Sequence, residues 1–244
     1  MLRSESTVAK QKYYAIKTGY NTQTKEVVKN QIFTSWAEAS PFVQGINKKQ
    51  HGVQAEYKSF STLEEAKAYL KTEPFLHKSE NNYPIDCLHC YVDGSFSEQL
   101  QNYSFGLVCV KKQQVIFTKN GLGKNKEAVS MRQIAGELAG TMNALIYAKK
   151  HGHKKVVIFF DYKGVALHAT GNWKRDNNFS QIYYEWMQKF FKENPDIEVI
   201  FCKVDAHTGD DFNELADGFA KLALGIKPDN KFYRFAEKYG LQPE

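Results

Sequence analysis

Two apolar runs that each end in an aspartate most constrain the fold of this chain. Residues 88–92 read Leu-His-Cys-Tyr-Val and lead into Asp93, and residues 156–160 read Val-Val-Ile-Phe-Phe and lead into Asp161. The second run has no polar alternation, which is typical of a strand buried on both faces and paired in parallel. A helical pattern at 131–150 would return the chain for that pairing. We therefore expect both aspartates at one edge of a sheet, where open α/β sheets place their ligand chemistry.

Two further acidic residues lie inside helical patterns. Glu137 shares the apolar face of its helix with Ile134 and Leu138, so its carboxylate needs a positive partner. Asp217 lies one turn after Asn213, on the same helical face. Two acids at strand ends and two on helices would form a pocket for hard cations such as Mg²⁺. Taken singly, each acid also fits an ordinary surface carboxylate.

The element pattern of residues 87–226 is βββαβααβα. Strand patterns occupy residues 87–95, 103–110, 114–122, 156–160 and 197–204, and helical patterns occupy residues 131–150, 163–170, 178–193 and 212–224. The sequence therefore predicts an α/β domain with a five-stranded mixed sheet and flanking helices. Residues 227–244 form a C-terminal tail that the patterns do not place.

The N-terminal part predicts a separate small domain. Residues 1–70 read as a ββαβα unit, and the aperiodic stretch 71–86, which contains two prolines, reads as a linker. Residues 1–72 carry 11 Lys/Arg against 6 Asp/Glu, whereas residues 73–244 carry 22 against 21. Such a basic N-terminal unit is suited to a polyanion.

The cellular compartment is predicted from the thiols and from the lack of targeting signals. The four cysteines complete no zinc motif and read as reduced, buried thiols: Cys87, Cys90, Cys109 and Cys202. No apolar stretch is long enough to span a bilayer, and the first six residues have no signal-peptide core. We expect a cytoplasmic protein without a membrane partner, with a nuclear or organellar location left open for a eukaryotic source.

Four segments resemble the motifs of cellular ribonuclease H of the type 1 class. They are Tyr91–Ser95, Ala135–Leu138, Phe159–Asp161 and His207–Asp217. Their order and element types match that family across residues 87–224. The resemblance implies a ribonuclease H-like fold preceded by the small ββαβα domain.

The resemblance also implies the catalytic roles. Asp93, Glu137, Asp161 and Asp217 would hold two Mg²⁺ ions about 3.5–4 Å apart, with Mn²⁺ as an alternative ion. One ion would lower the pKa of an attacking water, and the other would stabilise the leaving 3′ oxygen. His207 matches the family's proton-shuttling histidine, although a lone loop histidine is more often without function.

Specificity for RNA would come from the 2′-hydroxyls that DNA lacks. The family reads them with backbone groups around Gly94 and Ser95 and with the start of the helix near Gln133, where the family usually has Asn. Asn213 would position Asp217 or a metal-bound water, or else would simply cap or solvate its helix.

The N-terminal unit resembles the hybrid-binding domain of eukaryotic-type ribonuclease H, which is shared with caulimovirus viroplasmin. The matching segments are Tyr13–Lys17, Ser35–Glu38, Tyr57–Phe60 and Leu63–Ala66. The resemblance implies that Trp36 and Tyr57 stack on DNA sugars, with Tyr14 and Lys58 beside them to meet phosphate. The alternative is that both aromatic side chains fill a small core.

Together these features predict an endonuclease that cuts the RNA strand of RNA–DNA hybrids and leaves 5′-phosphate and 3′-hydroxyl ends. Its partner would be the hybrid, with double-stranded RNA as a further candidate and no obligate protein partner. Residues 171–178 are too short for the basic protrusion with which some bacterial relatives grip the hybrid, so the N-terminal unit would supply that grip. The competing readings are a non-catalytic binder of hybrids or double-stranded RNA, and another nuclease on the same fold.

Overall fold

The chain divides into two compact units at the Glu73–Pro74 bond. A computed structural model describes residues 11–46, 48–53, 55–71, 73–173, 175, 177–205 and 209–243. Each unit has its own sheet and its own apolar clusters. The predicted α/β architecture, a small domain followed by a mixed sheet with flanking helices, is confirmed, with one more short helix in the first unit and one more strand in the second than predicted.

The N-terminal unit is an antiparallel three-stranded sheet with helices. Its strands are β1 (Tyr13–Tyr20), β2 (Val27–Phe33) and β3 (Glu56–Phe60), and its helices are α1 (Trp36–Ala39), α2 (Lys48–His51) and α3 (Leu63–Lys71). The strand order is β2-β1-β3. Strands β1 and β2 include polar residues such as Thr18 and Lys29, which face each other in the antiparallel pairing.

Helix α1 begins and ends where local chemistry requires. The Ser35 hydroxyl accepts a hydrogen bond from the Glu38 N–H at 3.3 Å and so caps the N-terminus of the helix. Pro41 lies in a 3₁₀ turn that follows, so the α-helix stops at Ala39. At the start of α3, Thr62 and Glu65 form a reciprocal capping box, because each side chain accepts a hydrogen bond from the backbone N–H of the other residue.

The C-terminal unit has a six-stranded mixed sheet of order β4-β9-β8-β5-β6-β7. The strands are β4 (Leu76–His77), β5 (Leu88–Ser97), β6 (Asn102–Lys111), β7 (Gln114–Leu122), β8 (Lys155–Phe160) and β9 (Glu198–Lys203). The predicted linker thus contains a sixth strand, because Leu76 and His77 pair in parallel with Cys202 and Lys203. Two residues are too few to show a strand period, so this strand could not be predicted from the pattern of apolar residues.

Helices cover both faces of this sheet. They are α4 (Gln133–Lys150), α5 (Gly164–Ala169), α6 (Asn178–Glu193), α7 (Asp211–Ala223) and α8 (Asn230–Lys238). Alternate strand residues face opposite sides. Leu88, Cys90 and Val92 pack with α4, α5 and α6, whereas Tyr91 and Phe159 pack with α7 and α8.

The C-terminal tail is an ordered part of this core. Helix α8 buries Phe232 and Phe235 against α7, and Asp229 caps its N-terminus by accepting from two backbone N–H groups. Phe232 lies so close to Gly218 that a Cβ there would approach the phenyl ring to 1.9 Å. Among the described residues, no helix is both long and apolar enough to cross a membrane.

Candidate active site and nucleic-acid surface

Parallel pairing of β5 and β8 brings two aspartates to one edge of the sheet. Tyr91 lies opposite Phe159, so Asp93 and Asp161 follow two residues beyond in the same register. Carboxylate oxygens of Asp93, Glu137 and Asp161 all lie within 4.8 Å of one another. The predicted convergence of these three acids is therefore present.

Glu137 reaches this edge because two glycines let α4 pack directly on β5 and β6. A Cβ added to Gly136 would lie 1.9 Å from the Ser104 carbonyl oxygen and 2.7 Å from the Gly94 Cα. A Cβ added to Gly94 would meet the Gln133 carbonyl oxygen at 2.0 Å. A larger residue at either position would force α4 away from the strands, and the close contact places the next side chain, Glu137, over the strand end.

Asp217 is positioned by the same device on the other face. A Cβ added to Gly106 of β6 would lie 1.9 Å from the Ala216 carbonyl oxygen. The Ser104 hydroxyl donates to the Ala220 carbonyl at 2.6 Å, which fixes α7 along the strand. Asp217 lies outside the group of three, and its Oδ2 is 2.5 Å from the Lys221 Nζ, one turn on.

The clustered carboxylates resist ionisation together. Burial raises the pKa of Asp93 well above its usual range, and the charges of Asp161 and Asp217 add to the effect. A hydrogen bond from the Gly94 N–H at 2.7 Å and the charge of Lys221 oppose it.

Glu137 is even more enclosed. Burial raises the pKa of Glu137 well above its usual range, and the charges of Asp161 and Asp93 and a hydrogen bond with Asp161 add to this. The backbone N–H of Tyr162, which donates to Glu137 Oε2 at 3.2 Å, opposes the shift. A carboxylate in such surroundings needs a compensating positive charge before it can ionise.

The donor set fits a divalent cation. Mg²⁺ prefers oxygen ligands, and it supplies the positive charge that the buried Glu137 and its partly buried neighbours Asp93 and Asp161 need. Asp93, Glu137 and Asp161 would be the ligands on this geometry, with Asp217 the nearest further carboxylate that acts on Asp93.

The other predicted site residues lie on β5, on α4 and on α7, except for one that the structure does not describe. Gly94 and Ser95 follow Asp93 on β5, and Gln133 is the exposed first residue of α4. The buried Oδ1 of Asn213 has no hydrogen-bond partner within the described part of the chain, which suits an acceptor reserved for a ligand or water. His207 lies outside the described residues.

Two residues in this region, Lys221 and Arg132, were not predicted from the sequence. Lys221 could have been found from its i, i+4 spacing to Asp217. Arg132 has a φ of 56° just before α4, and its guanidinium stacks 4.9 Å from the centroid of the Phe96 ring. No sequence signal distinguishes this arginine, because nothing in its neighbours requires a left-handed backbone.

The N-terminal unit has a row of aromatic rings. The centroids of Tyr14 and Trp36 are 5.4 Å apart, and those of Trp36 and Tyr57 are 5.9 Å apart. Trp36 is 37% exposed, so it does not simply fill the core, while Tyr14 and Tyr57 also pack on the small cluster around Ile16. The row is therefore partly accessible, and its stacking on nucleic acid stays a prediction.

Lys58 does not lie beside that row. Tyr57 pairs with Ile16 and Lys58 pairs with Ala15, so the two neighbours point to opposite faces of the sheet. The Lys58 ammonium instead lies 5.9 Å from the centroid of the Phe60 ring, on the face that carries α3. The predicted position of Lys58 beside Trp36 and Tyr57 is therefore wrong, because adjacent strand residues point to opposite faces.

Fold and site together define the C-terminal unit as a ribonuclease H-like domain. A family model described as reverse transcriptase-like matches residues 91–223, and one described as the ribonuclease H1 N-terminal domain matches residues 12–70. The chain therefore belongs to the reverse transcriptase-like family, with the ribonuclease H1 N-terminal domain ahead of the family domain. This combination confirms the predicted resemblance to type 1 ribonuclease H.

Solved structures of ribonuclease H are similar to part of the chain. Ribonuclease H1 from Halobacterium salinarum is 19% identical, over 57% of this chain and 97% of that one, with a TM-score of 0.46. LC11 ribonuclease H1 in complex with an RNA/DNA hybrid is 14% identical, over 56% and 99%, with a TM-score of 0.44. A ribonuclease H domain from Desulfitobacterium hafniense is 37% identical, over 57% and 89%, with a TM-score of 0.29. No curated protein matches the chain.

Proposed function

We propose that the protein is an endonuclease that hydrolyses the RNA strand of RNA–DNA hybrids with divalent cations. The observation that carries this proposal is the cluster of the buried Glu137 and the partly buried Asp93 and Asp161 at the sheet edge, whose carboxylate atoms all lie within 4.8 Å of one another. Family membership and the ribonuclease H1 N-terminal domain support the same activity.

The protein's contribution to catalysis is to hold and orient charge. Bound Mg²⁺ would acidify a water and neutralise charge that develops on the phosphate. Asp93 and Glu137 keep their orientation through the backbone N–H groups of Gly94 and Tyr162, so little reorganisation is needed during reaction. We place Asp217 as the fourth metal-binding carboxylate.

In the proposed reaction, a water oxygen bonds to phosphorus while the bond from phosphorus to the 3′ oxygen breaks. The water loses a proton and the departing oxygen gains one, which leaves a 5′-phosphate and a 3′-hydroxyl. His207 is proposed, from its motif, to carry a proton in this exchange.

The N-terminal unit is proposed to hold the hybrid. The row of Tyr14, Trp36 and Tyr57 offers flat, partly exposed rings, and aromatic stacking on nucleic acid does not depend on base sequence. Most of the excess positive charge of the chain lies in residues 1–72. Deleting those residues should raise KM and reduce the salt dependence of binding while kcat changes little.

The test is cleavage of end-labelled RNA–DNA hybrid, double-stranded RNA and double-stranded DNA, each with Mg²⁺, Mn²⁺ or a chelator. We expect the metal-containing reactions to cut only the RNA of the hybrid, and phosphatase treatment should identify a 5′-phosphate. Asp93→Asn should abolish cutting, whereas Asp196→Asn, at an exposed ion pair, should not. Equal cleavage by Asp93→Asn protein would refute the proposal. Binding of the hybrid without cleavage would support the non-catalytic alternative.

A further inference from the structure

Lys78 links the strand that carries Asp93 to the helix that carries Asp217. Its Nζ donates to the Tyr91 hydroxyl at 2.7 Å and forms an ion pair with the Asp210 carboxylate. Tyr91 lies two residues before Asp93 on β5, and Asp210 is the N-cap residue of α7. One side chain therefore contacts both elements.

The Asp210 carboxylate serves the helix and the lysine at once. Its Oδ1 accepts from the backbone N–H groups of Phe212 and Asn213, both at 3.2 Å, and its Oδ2 contacts Lys78. A cation beside a helix N-terminus is unfavourable by itself, because that end carries partial positive charge. The Asp210 carboxylate explains the position of Lys78, because it binds both the ammonium of Lys78 and the N-terminal N–H groups of α7.

The surroundings make this link rigid. The side chains of Lys78 and Asp210 are only 21% and 16% exposed, so solvent competes weakly for the pair. The Lys78 ammonium lies 4.6 Å from the centroid of the Tyr91 ring, which stacks on Phe159 at 4.4 Å. Phe212, in the first turn of α7, also contacts the Tyr91 ring, at 5.2 Å.

In the first turn of α7, Asp211 also contacts Lys238 and Tyr239, which follow α7 in the chain, whereas the polar contacts of α7 with the other strands lie further along the helix. Ser104 binds the Ala220 carbonyl, and the Asn120 side chain donates to the Phe219 carbonyl at 3.1 Å. These contacts fix the C-terminal half, while Lys78 and Phe212 connect the first turn to β5. Both ends must be fixed if Asp217, in the middle, is to keep its position relative to Asp93.

We propose that Lys78 is a positioning residue for the metal-binding site, which sets the place of Asp217 by tying the N-cap of α7 to β5. This inference rests on the proposed function for its kinetic test. Loss of an outer partner of a metal ligand typically costs about 10- to 100-fold in metal affinity or activity.

The experiment uses the full chain with Lys78→Met, which keeps the aliphatic stem over the Tyr91 ring but removes the charge and the donors. We expect kcat for the hybrid to fall about 10-fold or more and the half-saturating Mg²⁺ concentration to rise similarly, with KM for the hybrid within about twofold. Lys78→Arg should recover most of the loss, because it retains both charge and donors. Lys154→Met, which breaks the exposed ion pair to Asp196, is the matched control and should behave as wild type.

Two measurements separate positioning from plain stabilisation. Amide hydrogen exchange should accelerate in the first turn of α7 but not in α4, and the Mg²⁺-dependent rise in melting temperature should shrink. If Lys78→Met does not fold, Lys78→Gln, which keeps a donor for the Tyr91 hydroxyl, carries the same comparison. A variant that is only less stable, with wild-type kcat and Mg²⁺ dependence, would overturn the inference.

The outcomes also separate this inference from the proposed function. If wild-type protein cuts no hybrid, the proposed function fails, while Mg²⁺ binding and exchange still test the role of Lys78. If wild type cuts the hybrid and Lys78→Met cuts it equally well at every Mg²⁺ concentration, only the inference fails.

Discussion

Glu137 Oε2 accepts a hydrogen bond at 3.2 Å from the backbone N–H of Tyr162, the residue that follows Asp161. This bond connects a side chain of helix α4 to the backbone just beyond the end of strand β8. The bond engages one carboxylate oxygen of Glu137, and the same carboxylate lies within 4.8 Å of those of Asp93 and Asp161. Position and charge at this point can therefore be separated by mutation.

Glu137→Gln should abolish cleavage while leaving the fold and hybrid binding intact. The amide oxygen can still accept from the Tyr162 N–H, but the charge that would bind a cation is lost. We expect at least the roughly 10- to 100-fold loss that accompanies damage to a metal site. Single-turnover cleavage with Mg²⁺ measures it, and Glu193→Gln, at a solvent-exposed pair on α6, is the control. Cleavage within twofold of wild type by Glu137→Gln would contradict the assigned role.

Gly136→Ala should damage both stability and activity. The new methyl group would meet the Ser104 carbonyl oxygen at 1.9 Å, so α4 must move away from the sheet and carry Glu137 with it. Overpacking of this kind typically costs about 1–3 kcal/mol, occasionally more. Urea unfolding and cleavage rates check the two effects.

Gly140→Ala is the matched control in the same helix. Its added Cβ would lie 3.2 Å from the Val92 Cβ, a contact that small shifts relieve, and alanine favours helix. We expect a change in unfolding free energy within about 1 kcal/mol and normal cleavage. Equal effects of the two substitutions would show that close packing at Gly136 does not position the site.

The sequence predicted the parallel pairing at the site because β8 is apolar on both faces. Once β5 and β8 are parallel, the adjacency of Asp93 and Asp161 follows from register alone. Glu137 was predicted from its place on an apolar helical face. These features depend on local pattern and on general rules for α/β sheets, which a single sequence contains.

Other features depend on contacts between distant segments. Leu76 and His77 form a strand only because β9 offers an unpaired edge, and the ion pair of Lys78 and Asp210 joins residues 132 positions apart. Helix α8 packs on α7 through the contact of Phe232 with Gly218. The sequence of the tail alone does not show this contact. The sequence does not show which distant residues these side chains contact, so their structural roles could not be predicted.

His89 should make the C-terminal unit less stable in mild acid. Burial lowers the pKa of His89, the charge of Lys78 adds to this, and a hydrogen bond to the Pro84 carbonyl at 2.7 Å opposes it. A histidine with a lowered folded-state pKa favours folding when neutral. That contribution is complete above the unfolded-state pKa of about 6.5 and is lost as pH falls through the folded-state value.

His89→Gln can keep a donor for the Pro84 carbonyl but cannot take up a proton. We expect the fall in unfolding free energy between about pH 7 and 5 to be smaller in this variant than in wild type. Urea unfolding at a series of pH values measures the difference. His151→Gln, at an exposed position, should follow wild type, and parallel curves for wild type and His89→Gln would contradict the assignment.

Phe232→Ala should show that α8 belongs to the core. The phenyl ring is 1% exposed, contacts Phe219 with centroids 5.3 Å apart, and fills the space beside Gly218. Removing a buried phenyl group costs about 3–5 kcal/mol, which urea unfolding detects directly. Its neighbour Tyr233 is 40% exposed, so Tyr233→Ala should cost less than about 1 kcal/mol. Similar losses for both would mean that α8 does not rest on α7 through Phe232.

Trp36→Ala should weaken hybrid binding without changing its salt dependence. The indole contributes stacking rather than charge, so its loss should cost about 1–3 kcal/mol, or roughly 5- to 150-fold in KM, at every salt concentration. Deletion of residues 1–72 should instead raise KM and flatten the dependence on salt, because it removes lysines that displace counterions. Since Trp36 and the acidic cluster lie in different units, kcat at saturating hybrid should stay within about twofold.

The control for Trp36 is Tyr20→Ala, at the far end of β1 from Tyr14, where the ring contacts His51 with centroids 5.5 Å apart. It removes an aromatic side chain of the same unit outside the row of Tyr14, Trp36 and Tyr57, so KM should remain near wild type. Filter binding and cleavage at 50 and 200 mM salt would give both quantities. If Tyr20→Ala raises KM as much as Trp36→Ala does, loss of folding in the N-terminal unit explains both, and the row is not the stacking surface.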